Sequence, residues 1–425
     1  MKVITSDREI KSFIGTLQSR ALGVSPAIAK TVRAILHEVR KKGDRAVVDF
    51  TRKFDGYTPR SLRIPLEDIK RYARLADKDF LRALDASIKR IREFHRRQVE
   101  TSWSFKEDGI ELGQIIRPIE RVGVYVPGGK ASYPSTVLMN VIPAQVAGVP
   151  EIVLCLPTPN GEVNPYVMSA INMLGIKEVY SIGGAQAIGA LAYGTKSIKK
   201  VDKVVGPGNI YVATAKRLVF GEVDIDMIAG PSEILIIADS SANPAFVAGD
   251  LLSQAEHDEL ASSILITDSE TLAQKVTGEL KKQIKTLSRK AIASCSIKRY
   301  GAIIVIKDIK EAVEISNSIA VEHLEIMTQN PRRLLPLIKN AGAIFIGQWS
   351  PEPMGDYSAG PNHTLPTGGT SRFFSPLGVY DFIKRSSLIE FSKQGFMRLS
   401  KTVETLADAE GLQAHANSIR VRKFS

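Results

Sequence analysis

An adjacent carboxylate and imidazole, Glu322-His323, lie in the apolar run SIAVEHLEIM. Histidine titrates near neutral pH, and burial pushes a glutamic acid up toward the same range, so one spot can both take and give protons. Such neighbours also occur on solvated helix faces, so the pair gains meaning only from its company. Of the six histidines, His37 and His95 sit in helical, charge-rich surroundings expected at the surface, whereas His257, His323, His363 and His415 each lie beside a polar cluster. Gln254 and His257, three residues apart at the end of an expected helix, share one helical face. Asp356 offers a hard carboxylate in the loop-like stretch 348–374, and His415 another imidazole, with Glu410 five residues before it. Together Gln254, His257, Asp356 and His415 are chemically able to form a mixed nitrogen–oxygen site for Zn²⁺ with positions open to substrate. No HExxH or CxxC motif is present, however, and a plain surface helix is the simpler reading of Gln254 and His257 taken alone.

Three glycine-rich turns follow candidate strands: Tyr125-Val-Pro-Gly-Gly129, Gly183-Gly184-Ala-Gln186 and Gly206-Pro-Gly-Asn209. Glycines there let backbone N–H groups approach a ligand, and the helix N-termini that follow favour phosphate. None is GxGxxG, since the position three beyond Gly208 is Tyr211, so the ordinary dinucleotide fingerprint is absent. Each turn alone is plain structural punctuation. Three in succession at strand ends, where open α/β sheets bind ligands, point to a site.

These residues need elements to position them. Residues 24–100 carry helical periodicity: Ser25-Pro26 suits a cap with a first-turn proline, Ile28, Val32, Ile35, Leu36 and Val39 recur at helical spacing, and a second long helix is expected over 77–99. Short apolar strands then alternate with helices. They are expected over 122–126, 152–156, 179–182 and 203–205, and again over 234–238, 263–267, 302–306 and 343–346. Two such runs imply an α/β chain of two parallel-sheet, Rossmann-like domains, one inserted in the other, with N-terminal and C-terminal helical extensions. The expected partition is an arm over 1–23, a discontinuous α/β domain over 24–107 and 231–378, an inserted α/β domain over 108–230, and a terminal segment over 379–425 read as helical and basic.

Composition narrows the partners. At 425 residues, with 44% hydrophobic and 24% charged residues, the chain reads as an ordinary soluble multidomain protein. No apolar run approaches the ~20 residues of a membrane helix, and the N-terminus lacks a secretory core, so no membrane partner is expected. Two cysteines far apart, Cys155 and Cys295, suit a reducing cytoplasm, and Cys155 in EIVLCLPTP reads as core. The net charge of +12 is spread out; even its densest cluster, Lys89, Arg90, Arg92, Arg96 and Arg97, reads as a solvated helix face, and no nucleic-acid partner is expected.

The words RVGVYVPGGKASYPSTVLMN, IGGAQAIGALAYGT, VVGPGNIYVATAK, DMIAGPSEILIIAD, DLLSQAEHD, VEHLEI, GDYSAGPNHTLPT and AEGLQAHANS, in this order over nearly the whole chain, closely resemble the histidinol dehydrogenase family. The resemblance implies oxidation of L-histidinol to L-histidine through the aldehyde, with two NAD⁺ and one zinc ion. It assigns the metal to Gln254, His257, Asp356 and His415, substrate contacts to these four and to Ser232, His323 and Glu410, NAD contacts to Tyr125, Gln186 and Asn209, and acid–base work to Glu322 and His323. It also implies a homodimer in which His415 and Glu410 act in trans. His363, seven residues after Asp356, is a further candidate for proton transfer or ligand orientation. The rival readings are a zinc hydrolase with Glu322 as general base, another NAD-dependent amino-alcohol dehydrogenase, and a nucleic-acid-binding module.

Overall fold

Two parallel sheets and one small antiparallel sheet organise the chain. The computed structural model describes residues 1–22, 25–128 and 133–424. Gly129, the last residue of the first glycine turn, and position 24, where the helical region was expected to open, lie outside them.

The first sheet joins Arg121–Tyr125, Glu151–Leu156, Glu178–Ser181, Lys203–Val205 and the short Asp224–Ile225, all parallel. Its strands run as near-continuous apolar segments because helices cover both faces. In spatial order Glu178–Ser181 and Glu151–Leu156 lie on one side of Arg121–Tyr125, and Lys203–Val205 on the other. The chain therefore reverses its direction of progress between Arg121–Tyr125 and Lys203–Val205, the topological switch point at which such sheets open a crevice.

The second sheet has the order Lys2–Ile4, Gly301–Val305, Ser262–Thr267, Glu233–Ala238, His323–Met327, Ala343–Ile346, again all parallel. Two of these strands were not expected. Lys2–Ile4 is too short to show a period, and it exists because Gly301–Val305 offers a sheet edge. His323–Met327 reads HLEIM, five residues in which His323 and Glu325 interrupt the apolar positions although all five are buried, so no buried strand was expected there.

The helices divide between the cores of the two parallel sheets. Pro26–Lys42, capped by Ser25 Oγ, buries Val32, Ile35, Leu36 and Val39 against Ile188 and Leu191 of the first sheet's layer. Lys78–Arg96 buries Leu84, Ile88 and Ile91 in the other core of that sheet. The segment 26–96 thus shares its cores with the first sheet, while Ile10, Phe13 and Leu17 of Asp7–Leu22 join the second.

The third sheet pairs Trp103–Glu107, Ile110–Pro118 and Ile383–Phe391 antiparallel. The first two strands turn at Asp108-Gly109, both at positive φ (51° and 79°), the backbone that Asp-Gly hairpins adopt. Ile383–Phe391 corrects the expectation of helix from 380 onward: its exposed charges concealed a strand that pairs residue by residue with a segment some 270 positions away. Lys393–Ala409 and Gln413–Lys423 follow as two helices packed on each other. No helix among the described residues is long and apolar enough to cross a membrane.

Candidate active site

Glu322 and His323 sit at the amino edge of the second sheet, where Glu322 ends the approach and His323 opens its strand. Both are nearly inaccessible, 6% and 3% exposed. One peptide unit on each side of Glu233, in the neighbouring strand, holds the pair. The Glu233 N–H donates to Glu322 Oε2 at 2.8 Å, and the Glu233 carbonyl lies 3.0 Å from His323 Nδ1. A carbonyl only accepts, so Nδ1 carries a proton, and in the neutral ring it is Nε2 that holds the lone pair. That Nε2 is buried without a hydrogen-bond partner and lies 3.7 Å from Asp356 Oδ1.

Burial raises the Glu322 carboxyl toward about 8, the charge on His323 only partly opposing it. For His323 burial acts downward, but the carboxylates of Glu322 and Asp356 outweigh it and raise the imidazole. Both shifts favour protons staying in the pocket.

Asp356 reaches this edge from the loop after Ala343–Ile346, through the turns Glu352–Met354 and Gly355–Ala359. Burial acts to raise its pKa, yet His323 and His363 hold it well below the usual carboxylate range. His363 Nδ1 lies 3.8 Å from Asp356 Oδ2, and its Nε2 is buried without a partner. The loop is pinned from outside by Arg90, whose guanidinium donates to the carbonyls of Ser358 and Ala359 at 2.7 and 3.3 Å. Arg92 likewise donates to Gln145 at 3.1 Å, so the face expected to be merely solvated also carries positioning contacts.

The helix Pro244–Ala255 ends at the same edge. Gln254 is 1% exposed, with its Oε1 lacking a partner. His257 lies beyond the helix end, in a turn where its N–H donates to the Gln254 carbonyl at 3.2 Å, so the two do not share a continuous helical face. Burial lowers the His257 pKa. His257, Asp356 and Glu352 each present a ligand atom within 4.8 Å of the others, a grouping able to hold a metal ion. Glu352 escaped the sequence reading, although an acid four residues before Asp356 in PEPMGD was a signal. Its backbone N–H donates to Glu325 Oε1 at 2.7 Å, and its Oε2 accepts from Ser253 Oγ at 3.1 Å. Burial raises Glu352 to about 8 and Asp250, which bonds to Glu325, to about 6.

Ser232 is half-buried immediately before the Glu233 strand. His415 and Glu410 are elsewhere: both are exposed on the terminal helical pair, so a single chain does not gather them with the other expected ligands. His95, expected at the surface, is fully buried, with Nδ1 2.8 Å from the Ile91 carbonyl. Its helix turns that face inward onto the first sheet. Cys155 is buried core, as expected.

The glycine turns gather at the carboxyl end of the first sheet. The Tyr125 hydroxyl accepts from the Gly184 N–H at 3.1 Å, and burial raises the phenol to about 12. Gln186 is 1% exposed, and neither its Oε1 nor its Nε2 has a partner. Asn209 is exposed and caps Ile210–Val219, accepting from the Tyr211 and Val212 N–H groups at 3.0 and 3.2 Å. Gly206 takes φ 109°, and a Cβ there would lie 2.1 Å from the Tyr125 carbonyl oxygen, so the two turns meet at the switch point only with glycine present.

This arrangement can bind a divalent cation, exchange protons beside it and cradle a ligand on backbone groups. The family model for histidinol dehydrogenase matches residues 18–423. The histidinol dehydrogenase of Aquifex aeolicus is 57% identical over 396 residues, covering 93% of this chain and 92% of that protein. That of Syntrophotalea carbinolica is 53% identical, covering 98% and 97%. A crystal structure of the Elizabethkingia anophelis histidinol dehydrogenase superposes with a TM-score of 0.94 at 37% identity, covering 99% of this chain and 98% of that one.

Proposed function

The chain belongs to the histidinol dehydrogenase family, and from that premise we propose that it oxidises L-histidinol to L-histidine through L-histidinaldehyde, using zinc and two NAD⁺. The observation that carries this reading is the juxtaposition of the His257–Glu352–Asp356 grouping with the buried Glu322–His323 pair.

The donor set suits zinc. Imidazole and carboxylate are its ordinary ligands, and the unpartnered Gln254 Oε1 is a buried acceptor in want of a cation or donor. Gln254, His257, Asp356 and, across a dimer, His415 would hold the ion, with Glu352 beside them. When bound it supplies an electrophilic anchor that orients the amino alcohol, while NAD⁺ supplies the two-electron acceptor. The unpartnered Gln186 amide beside the switch point fits a nucleotide's polar groups, with Tyr125 and Asn209 shaping the turns around it.

The chain's own residues then move the protons. His323, its Nδ1–H fixed on the Glu233 carbonyl, takes the hydroxyl proton at Nε2 as hydride leaves the carbinol carbon. Glu322 takes a proton from the water that adds to the aldehyde, a task matched by a carboxyl raised toward neutral pH. After that first proton has left Nε2 for solvent, His323 accepts another in the second oxidation. Burial of both side chains keeps bulk water from the reacting centre.

A cytoplasmic homodimer completes the reading. Exposed apolar side chains concentrate on the third sheet and terminal helices: Trp103 54%, Ile389 66%, Leu406 60%, Val421 62% and Phe424 91%. A surface of this kind marks an interface, and one formed by this segment would carry Glu410 and His415 to the other subunit's site. The deciding assay is NADH formation from L-histidinol by purified protein with its metal content measured. Turnover that needs nucleotide and is lost on chelation supports the reading; metal-free protein turning over at the full rate, or hydrolysis without nucleotide, sinks it.

A further inference from the structure

Glu233 occupies the first position of a central strand, between Ser262 on one side and the Glu322–His323 entry on the other. Its main chain makes two contacts with the acid–base pair, N–H to Glu322 and carbonyl to His323. Its side chain points toward the N-terminal helix Asp7–Leu22, where the Arg20 guanidinium pairs with Oε1, while the Gly368 N–H donates to Oε2 at 3.2 Å. The ion pair is almost wholly buried, with side chains 2% and 4% exposed. Arg20 also donates to the Leu260 carbonyl and lies 5.2 Å over the Tyr300 ring, so it is fixed on three sides.

A cavity of about 210 Å³ opens beside this carboxylate, bounded by Ile14, Leu17, Glu233 and Gly368. Apolar packing on that side is therefore incomplete, and it is the directed bonds from Arg20 and Gly368 that fix the side chain. A side chain held at its tip restrains the peptide units on both sides of its Cα. Here those two units are the ones that orient the general base and the water-activating carboxyl.

We propose that Glu233, anchored by Arg20 of the N-terminal helix, is the positioning residue for the Glu322–His323 pair. The inference rests on the dehydrogenase reading and adds to it a residue that touches neither metal nor substrate. Its loss misorients His323 Nε2 and Glu322 without removing a group that binds the amino alcohol. A displacement of about 1 Å in reacting groups costs on the order of 100-fold in rate.

The test uses full-length enzyme loaded with zinc. Glu233→Ala is expected to lower kcat for histidinol oxidation by about 10- to 100-fold while KM for histidinol and bound zinc per subunit stay within twofold. Glu233→Gln, which keeps an acceptor for Arg20 at the same place, recovers most of the lost rate. If Glu233→Ala does not fold, the double variant Glu233→Leu/Arg20→Met replaces the buried pair by apolar volume, a change such pairs commonly tolerate, and shows the same loss of kcat. A folded, zinc-replete variant with wild-type kcat overturns the inference, and so does a loss in which zinc content and KM change as much as kcat. Wild-type protein that forms no NADH from histidinol removes the dehydrogenase reading itself, a result distinct from either.

Discussion

The two parallel sheets use opposite ends. The first gathers its turns at the carboxyl ends of its strands, at the switch point where open α/β sheets ordinarily bind ligands. The second gathers Glu233, Gln254, His257, Glu322 and His323 at its amino edge, and the loop carrying Glu352 and Asp356 turns back to reach them. The chemistry differs accordingly. At the first sheet the contacts are backbone groups and neutral amides, which need glycine and close approach. At the second they are titratable side chains held in near-complete burial, and their shifted pKa values follow from that burial and from mutual charge. On the proposed function, the first end holds the nucleotide and the second moves protons.

His323→Asn tests that division most severely. It should reduce kcat by about 1000-fold for both oxidations while zinc stays bound; loss of zinc instead would make His323 a ligand and dissolve the distinction between base and metal site. Co-expressing His257→Ala with His415→Ala subunits, each inactive alone, should restore about a quarter of wild-type activity. Half of randomly formed dimers are mixed, and ligation in trans completes one of their two sites. No recovery would assign His415 to its own chain's site.

A crossed pair of variants sharpens the comparison. Glu352→Gln should weaken zinc affinity by about 10- to 100-fold with little change in KM for NAD⁺, whereas Gln186→Ala should raise KM for NAD⁺ by about 10-fold and leave zinc affinity alone. Equal effects of either variant on both ligands would show the two ends acting as one. Gly206→Ala, which sets a methyl group against the Tyr125 carbonyl, should cost about 1–3 kcal/mol of stability and raise KM for NAD⁺; an unchanged melting temperature would show that the turn relaxes freely.

The smallest effect separates burial from function. His95 is also a buried histidine, but on the first sheet's side and away from the reacting groups. Burial lowers its pKa from the ordinary 6.5, so the folded state keeps it neutral while the unfolded chain protonates. The unfolded state then binds more protons below pH 6.5, and stability falls as the pH drops through that value. The slope is at most about 1.4 kcal/mol per pH unit. In His95→Gln this part of the acid destabilisation should disappear from melting curves taken between pH 7.5 and 5.5; an unchanged slope would mean that His95 protonates in place.

The sequence states much of the fold because its signals are local. Eight expected strands appear within one or two residues of their places, since strands buried on both faces are written as apolar runs between turns. The Ser25-Pro26 helix start and the glycine turns were legible for the same reason. Elements that owe their form to distant partners were not: Lys2–Ile4 needs the Gly301–Val305 edge, and Ile383–Phe391 needs Ile110–Pro118.

Of the site, ordered words over the whole length carried the family, and residue types marked Glu322-His323, His257 and Asp356 as chemically able. What tertiary structure alone decided is which groups meet and in what state. It brought Glu352 to His257 and Asp356, turned His95 inward, left His415 and Glu410 exposed on the terminal helices, and set the Glu233 peptide units against Glu322 and His323 while its side chain pairs with Arg20. Proton affinity and ligand geometry depend on distance and solvent exclusion. Those are properties of side chains far apart in sequence, and they come into being only when the sheets assemble.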